Sequence, residues 1–229
     1  NSLVYQQKQG LTPKVVFIDG NSLLYRAFYA LPLTLKLPSG QVTNAVYGFT
    51  SMLLRLLIDE KPQAVGVAFD SRGPTLRHGH YEGYKAQRRP MPDELSSQIP
   101  LVFEVLEALK IPTFAVPGYE ADDILATLTE QARKQAYEVK VVTGDRDAFQ
   151  LISDQQVEVL TTRKGITDIV RYNRQKVKER YGIEPEQVPD FLALKGDPSD
   201  NIPGVPGIGD KTASALIQRF GSLNSLYQH

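Results

Sequence analysis

Short runs of β-branched and apolar residues alternate along the chain with longer stretches in which apolar side chains recur at helical spacing. Lys14 to Ile18, Ala64 to Phe69 and Val139 to Thr143 are valine-rich and too short for helices, and they predict buried strands. Asn44 to Ile58, Leu95 to Leu109 and Ala121 to Ala136 place apolar residues every three or four positions and predict amphipathic helices. Strand and helix therefore alternate, the pattern of an α/β fold with a central, mainly parallel sheet flanked by helices. Beyond Tyr181 the texture changes to helical pieces, PEQVPDFLALKGD and DKTASALIQRFG, joined by the Gly/Pro-rich NIPGVPGIG. This predicts an α/β core over 1–181 and a small helical appendage over 182–229. The stretch from 71 to 92 follows neither period and is too long for a plain connection.

A chain of 229 residues can bury a proper core, as one domain or one domain with a small appendage. The absence of cysteine excludes disulfides, zinc ribbons and thiolate nucleophiles, so any metal must be held by oxygen or histidine. His78, His80 and His229 lack the spacing of a zinc site, which disfavours zinc. Basic and acidic side chains cancel at 26 each, so only their distribution informs on partners. Between Ser71 and Pro92 lie Arg72, Arg77, Lys85, Arg88 and Arg89 against the single acid Glu82, with Tyr81 and Tyr84 interleaved; a second basic stretch runs from Arg163 to Arg180. No apolar run approaches the roughly 20 residues of a membrane span, and the opening NSLVYQQKQG does not read as a signal peptide. The expectation is a soluble, cytoplasmic protein; a first residue of Asn further suggests a processed or excised segment.

All three predicted strands run into aspartate: KVVFID at Asp19, AVGVAFD at Asp70, and VKVVTGD at Asp145 with Asp147 two residues on. In parallel sheets ligands collect outside the carboxyl ends of the strands, so these acids share one edge. Glu120, Asp122 and Asp123 open a predicted helix, and Asp197 and Asp200 sit in KGDPSDN. Taken singly, each acid is accounted for as a helix cap, a dipole partner or a turn residue. Their coincidence points instead to a cation site, because clustered carboxylates repel unless something positive joins them. An all-oxygen donor set suits Mg²⁺ or Mn²⁺, and a pair of such ions about 4 Å apart serves phosphoryl transfer.

The basic stretch follows directly from Asp70, which sets its cations beside these acids, where Arg and Lys can hold phosphates and tyrosines can stack on unpaired bases. A solvated charged loop is the plainer alternative. Gly204, Gly207 and Gly209 precede a predicted helix carrying Lys211 and Thr212, so free N–H groups at a helix start can meet a phosphate; an ordinary helix–helix turn explains the same glycines.

As a set, FIDGNSLLYRAF, VAFD, GYKAQR, PGYEADDILA, TGDRDAFQL and KGDPSDNIPGVPGIGDKTA resemble the 5′ nuclease (5′–3′ exonuclease) domain of bacterial family A DNA polymerases, within the flap endonuclease superfamily. The resemblance runs in order from about Lys14 to Tyr227 and implies the PIN-like 5′ nuclease fold with a helix-hairpin-helix appendage. It implies that Asp19, Asp70, Glu120 and Asp122 serve one Mg²⁺, and that Asp123, Asp145, Asp147, Asp197 and Asp200 serve the other, partly through water. It further implies that Arg26 and Lys85 contact the reacting phosphate with Arg88 in support, and that an arch over about 71–92, with Arg77 and Tyr84, closes on a single-stranded 5′ end. The glycine hairpin, with Lys211 and Thr212, would grip duplex DNA and hold a K⁺ ion. The implied activity is two-metal hydrolysis of DNA at 5′ ends, flaps and forks, for primer removal and repair, by a monomer joined to a polymerase domain near the bacterial nucleoid. The chain stops at GSLNSLYQH, short of the further helices such a domain carries. A catalytically weak junction-binding module and a PIN-like RNase are the alternatives.

Overall fold

The computed structural model describes residues 12–162, 165 and 167–229; the opening NSLVYQQKQG and Arg163 and Lys164 of the second basic stretch lie outside the described residues. Six strands form one sheet in the order β3-β2-β1-β4-β5-β6, with β1 Lys14–Asp19, β2 Ala64–Ala68, β3 Thr113–Phe114, β4 Glu138–Val142, β5 Val157–Thr162 and β6 Ile169–Tyr172. Every pairing is parallel except β5 with β6. The chain builds outward from β1 through β2 to β3, then returns to lay β4 on the other flank of β1. The strand order thus reverses between β1 and β4, and parallel sheets leave a crevice at such a point, outside the carboxyl ends of the strands.

Alternation along β1 sends side chains into two cores. Val15 and Phe17 join Val139, Val141, Ile124 and Leu125 on one face, while Val16 and Ile18 join Val67, Leu24, Phe49 and Leu53 on the other. The second face is covered by helices α1 (Gly20–Ala30) and α2 (Asn44–Glu60), and the first by the later helix Ala121–Lys134. The buried Asn44 side chain donates to the Phe28 and Leu31 carbonyls, so the start of α2 satisfies the open end of α1.

Between β2 and β3 the chain forms α3 (Leu76–His80), α4 (Asp93–Ser96) and α5 (Ile99–Ala108). The single helix expected over Leu95 to Leu109 is therefore broken at Ser97–Gln98. Pro100 cannot donate a backbone hydrogen bond to the preceding turn, and the buried Gln98 turns away to accept from the Ala45 and Val46 N–H groups at the start of α2. The β5–β6 hairpin, absent from the three-strand expectation, closes the sheet with one antiparallel edge strand.

Helix α6 (Ala121–Lys134) crosses from β3 to β4; α7 (Arg174–Tyr181), α8 (Val188–Lys195), α9 (Asp210–Phe220) and α10 (Leu223–Leu226) follow the sheet. The apolar core does not stop at residue 181: Ile183, Val188, Phe191, Leu194, Ala213 and Ile217 continue the cluster that holds Val139 and Val159. Between α8 and α9 a two-stranded hairpin pairs β7 (Gly196–Asp197) with β8 (Ile202–Pro203). Its strands approach too closely for side chains. A Cβ on Gly204 would overlap the Lys195 carbonyl, and one on Gly196, held at φ 78° and ψ 171°, would overlap the Gly204 nitrogen.

Gly196→Ala is expected to destabilise the fold by about 1–3 kcal/mol through backbone strain alone, before the overlap is counted. Gly79→Ala, in α3 with open space around it, should stay within about 0.5 kcal/mol. Chemical denaturation of both variants checks the contrast.

Candidate active site

Asp19 is the last residue of β1, Asp70 lies two residues past β2, and Asp145 three past β4, so the parallel register brings them together at the crevice beside the reversal point. An open cleft of about 590 Å³ lies there, and Asp19, Asp70, Asp122, Asp145, Asp147 and Asp197 all line it. Glu120, Asp123 and Asp200 line an adjoining cavity of about 210 Å³, which shares Asp122 and Asp147 with the cleft. The structure thus gathers all nine acids singled out in the sequence, on two sides of a wall formed by Asp122 and Asp147.

The two groups are neutralised differently. On the far side every acid has a cation. Arg77 makes a bidentate pair with Asp123, at 2.7 Å to each oxygen, Lys85 Nζ lies 2.8 Å from Glu120, and Arg88 lies 2.7 Å from Asp200. Burial works to raise the Glu120 carboxyl, but the Lys85 and Tyr84 hydrogen bonds outweigh it and hold the group below its ordinary range; the Arg77 pair lowers Asp123 likewise.

The six cleft acids have no ion-pair partner among the described residues, and what holds them is weaker. Asp19 caps α1, accepting from Ser22 N at 2.9 Å, and takes a second bond from the Thr143 hydroxyl at 2.9 Å. Asp70 accepts from Ala121 N at 2.8 Å, so the positive ends of two helices meet the cluster. Asp122 Oδ1 is buried with no hydrogen-bond partner among the described residues. Burial, reinforced by the charges of Asp19, Asp145 and Asp70, pushes the Asp122 carboxyl up to about 8. Burial also raises Asp19 to about 6, and burial with the charges of Asp145, Asp197 and Asp200 raises Asp147 to about 7.

A buried, orphaned carboxyl whose charged form is disfavoured among five other acids is the condition that a hard cation relieves, and the donors are all oxygen. Among the described residues no three acidic side chains close on one point as a finished coordination shell. The acids line an open cleft, which leaves room for an ion that keeps several of its waters. By donor chemistry the residues fit divalent metal.

The basic segment is more ordered than a solvated loop. Lys85, at φ 54°, donates its backbone N–H to the Asp200 carbonyl at 2.9 Å, and Asn201 donates to the Gly83 carbonyl at 2.7 Å. Lys85 and Arg88 thereby reach the cleft, which both line. Tyr84 departs from the stacking expectation: it is buried, its ring packs edge-on against His78, and its hydroxyl lies within reach of both Glu120 (2.8 Å) and Asp200 (2.9 Å), donating its one proton to either, so no base can lie on it. Tyr81, 42% exposed, remains open on the same segment. Arg77 is committed to Asp123, and Arg26 donates to the Thr162 carbonyl at 3.0 Å, outside the residues that line the cleft. Lys211 and Thr212 are exposed in the first turn of α9, with Gly209 at its cap and Gly207 at φ 82°.

Four polar residues at the site escaped sequence reasoning. Asn21 accepts from the Asp70 N–H at 3.0 Å, Ser22 accepts from Gly144 N at 2.7 Å, Thr143 holds Asp19, and Ser199 donates its hydroxyl to Asp197 at 2.7 Å. The available signal was position, since each lies within three residues of a candidate acid.

Residues 14–182 match the family "5'-3' exonuclease, N-terminal resolvase-like domain", and residues 183–229 match "5'-3' exonuclease, C-terminal SAM fold". The chain is 53% identical over 215 residues to DNA polymerase I of Mycobacterium bovis, covering 93% of this chain and 24% of that protein. It is 51% identical to DNA polymerase I of Bacillus subtilis, over 94% and 24% of the two chains. The chain therefore spans about a quarter of the length of these relatives. Among solved structures, phage T5 5'-exonuclease with bound divalent metal ions (zinc) superposes with a TM-score of 0.74 at 25% identity, covering 94% of this chain and 78% of that one.

The raised carboxyls give a pH dependence with a definite sign. Asp122 has its carboxyl raised from 3.8 to about 8 by folding, so the fold favours its neutral form, and stability is lost as pH climbs through that interval. Without divalent metal the melting temperature should fall from about pH 5 to pH 8. Asp122→Asn should flatten that fall and melt about 3 °C or more above the parent at pH 8. Thermal melts in chelator across that range check it.

Proposed function

This chain belongs to the 5'-3' exonuclease family, and on that premise we propose that it is a divalent-metal-dependent, structure-selective 5′ nuclease that hydrolyses DNA phosphodiesters at 5′ ends, flaps and forks. The observation that carries the reading is the gathering of six carboxylates at the sheet's reversal point, with Asp122 Oδ1 unpartnered among the described residues and Lys85 and Arg88 on the same cleft. Opposite charges bordering one cleft suit a phosphodiester, whose oxygens need cations on every side.

Two Mg²⁺ ions, for which Mn²⁺ can substitute, are the proposed metals. When held, they supply Lewis acidity for water activation and charge neutralisation at the leaving 3′ oxygen. Asp19, Asp70 and Asp122 with Glu120 are proposed for one, and Asp145, Asp147, Asp197 and Asp200 with Asp123 for the other. Lys85 and Arg88 bind the non-bridging oxygens of the reacting phosphate, and to do so they must exchange Glu120 and Asp200 for substrate. Arg26 joins them only after leaving the Thr162 carbonyl. The rest of the segment 71–92 excludes water and orients a single-stranded 5′ end, with Tyr81 as the exposed ring available for stacking.

Gly204, Gly207 and Gly209 with Lys211 and Thr212 grip duplex backbone, with K⁺ proposed at the hairpin carbonyls. Backbone contacts of this kind carry no base identity, so selection is for DNA structure. Arg77 and Tyr84 serve by holding acids in place. The length of the relatives supports a covalently linked polymerase domain as partner and a role in primer removal and repair, in the bacterial cytoplasm at the nucleoid. Among the described residues no helix is long and apolar enough to cross a membrane.

Cleavage of a 5′-labelled flap duplex beside a matched blunt duplex, in Mg²⁺ and in chelator, tests the reading. Metal-dependent cutting near the flap junction is expected; flap-selective binding with no cutting would reduce the chain to a binding module. Asp145→Asn should lower turnover by about 100-fold or more with flap affinity nearly unchanged. Lys85→Ala should lower kcat by about 10²–10³-fold, more than it weakens binding, and single-turnover rates beside flap titrations separate the two effects.

A further inference from the structure

The backbone ladder between β1 and β4 ends at Ile18 and Val142, one residue before Asp19 and two before Gly144, both of which line the cleft. Beyond that rung two side chains continue the connection. Thr143, only 3% exposed, receives the Asp145 backbone N–H on its hydroxyl oxygen at 3.1 Å and lies 2.9 Å from Asp19 Oδ2. Its own backbone N–H is tied to the Leu160 carbonyl at 3.1 Å, so the side chain hangs from a fixed point. A hydroxyl has one proton. With the Asp145 N–H occupying an acceptor site, that proton goes to the Asp19 carboxylate, and the direction of the relay is set. Ser22, in the first turn of α1, makes the second crossing by accepting the Gly144 N–H at 2.7 Å while its own N–H donates to the capping Asp19 carboxylate.

We propose that Thr143 is a positioning residue for divalent-metal uptake: its hydroxyl couples Asp19 on β1 to the Asp145 backbone after β4, with Ser22 as a brace. This rests on the reading of the cleft as a metal-dependent nuclease site. The two acids come from different strands, each past the last rung of the β1–β4 ladder, so the crossing between them is carried by the Thr143 and Ser22 side chains. Outer hydrogen bonds of this kind fix the orientation of ligating carboxylates, and their loss weakens metal binding about 10–100-fold.

Thr143→Val keeps the branched shape and removes the hydroxyl, whereas Thr143→Ser keeps the hydroxyl and removes the methyl. With the full chain, Mg²⁺ uptake is followed by calorimetry, and flap cleavage is followed against Mg²⁺ concentration. The half-saturating Mg²⁺ concentration should rise about tenfold or more in Thr143→Val and return to within about threefold in Thr143→Ser. Excess Mg²⁺ should recover a larger share of the cleavage rate for Thr143→Val than for Lys85→Ala. Half-saturation unchanged in Thr143→Val overturns the assignment, as does a Thr143→Ser variant that is equally impaired, since packing and not the hydroxyl would then be at work. Should Thr143→Val not fold, Ser22→Ala carries the test: raised half-saturation supports the relay and unchanged half-saturation overturns it. A parent chain that neither takes up Mg²⁺ nor cuts flaps would instead remove the nuclease reading beneath it.

Discussion

Six carboxylates converge on one half-buried cleft, and much of the architecture around them can be read as a response to their mutual repulsion. Parallel strands force the convergence, because Asp19 ends β1 while Asp70 and Asp145 closely follow β2 and β4, whose carboxyl ends share one edge. Two helix N-termini meet that edge, one capped by Asp19 and one donating to Asp70. These partial charges leave Asp122, Asp19 and Asp147 with raised carboxyls, so the protein alone does not neutralise the cleft. On the proposed reading a divalent cation supplies the counter-charge, and the raised carboxyls are what its binding would relieve.

The far side of the wall solves the same problem with side chains. Glu120, Asp123 and Asp200 are matched by Lys85, Arg77 and Arg88, all from the segment after β2. Because Lys85 and Arg88 also line the cleft, one short segment both neutralises acids and presents charge to that cleft. Its backbone is tied down at Asp200 and Asn201, and Lys85 holds a left-handed conformation that a lysine adopts only when its surroundings require it.

The C-terminal helices are joined to the core by the same economy of contact. Asp197 and Asp200 reach the site from the β7–β8 hairpin, whose close approach depends on Gly196 and Gly204 having no side chains. The continuous apolar cluster from Val139 to Ile217 carries that hairpin against the sheet, which makes placement of these acids a consequence of packing.

The sequence by itself determined the α/β class, the three central strands and the acids that gather beside the sheet's reversal point, because hydrophobic period and a strand's end position are local properties of the chain. It also carried the family, since ordered motifs such as TGDRD and PGYEADD survive without coordinates. Only the tertiary structure decided which acids face the cleft and which meet cations, because pairs such as Arg88 with Asp200 join residues more than a hundred positions apart. It also decided that Tyr84 is buried, that Gln98 breaks a helix to cap another, and that Thr143 and Ser22 bridge β1 and β4. Hydrogen bonds across a sheet depend on register and burial, which no local pattern of residues encodes.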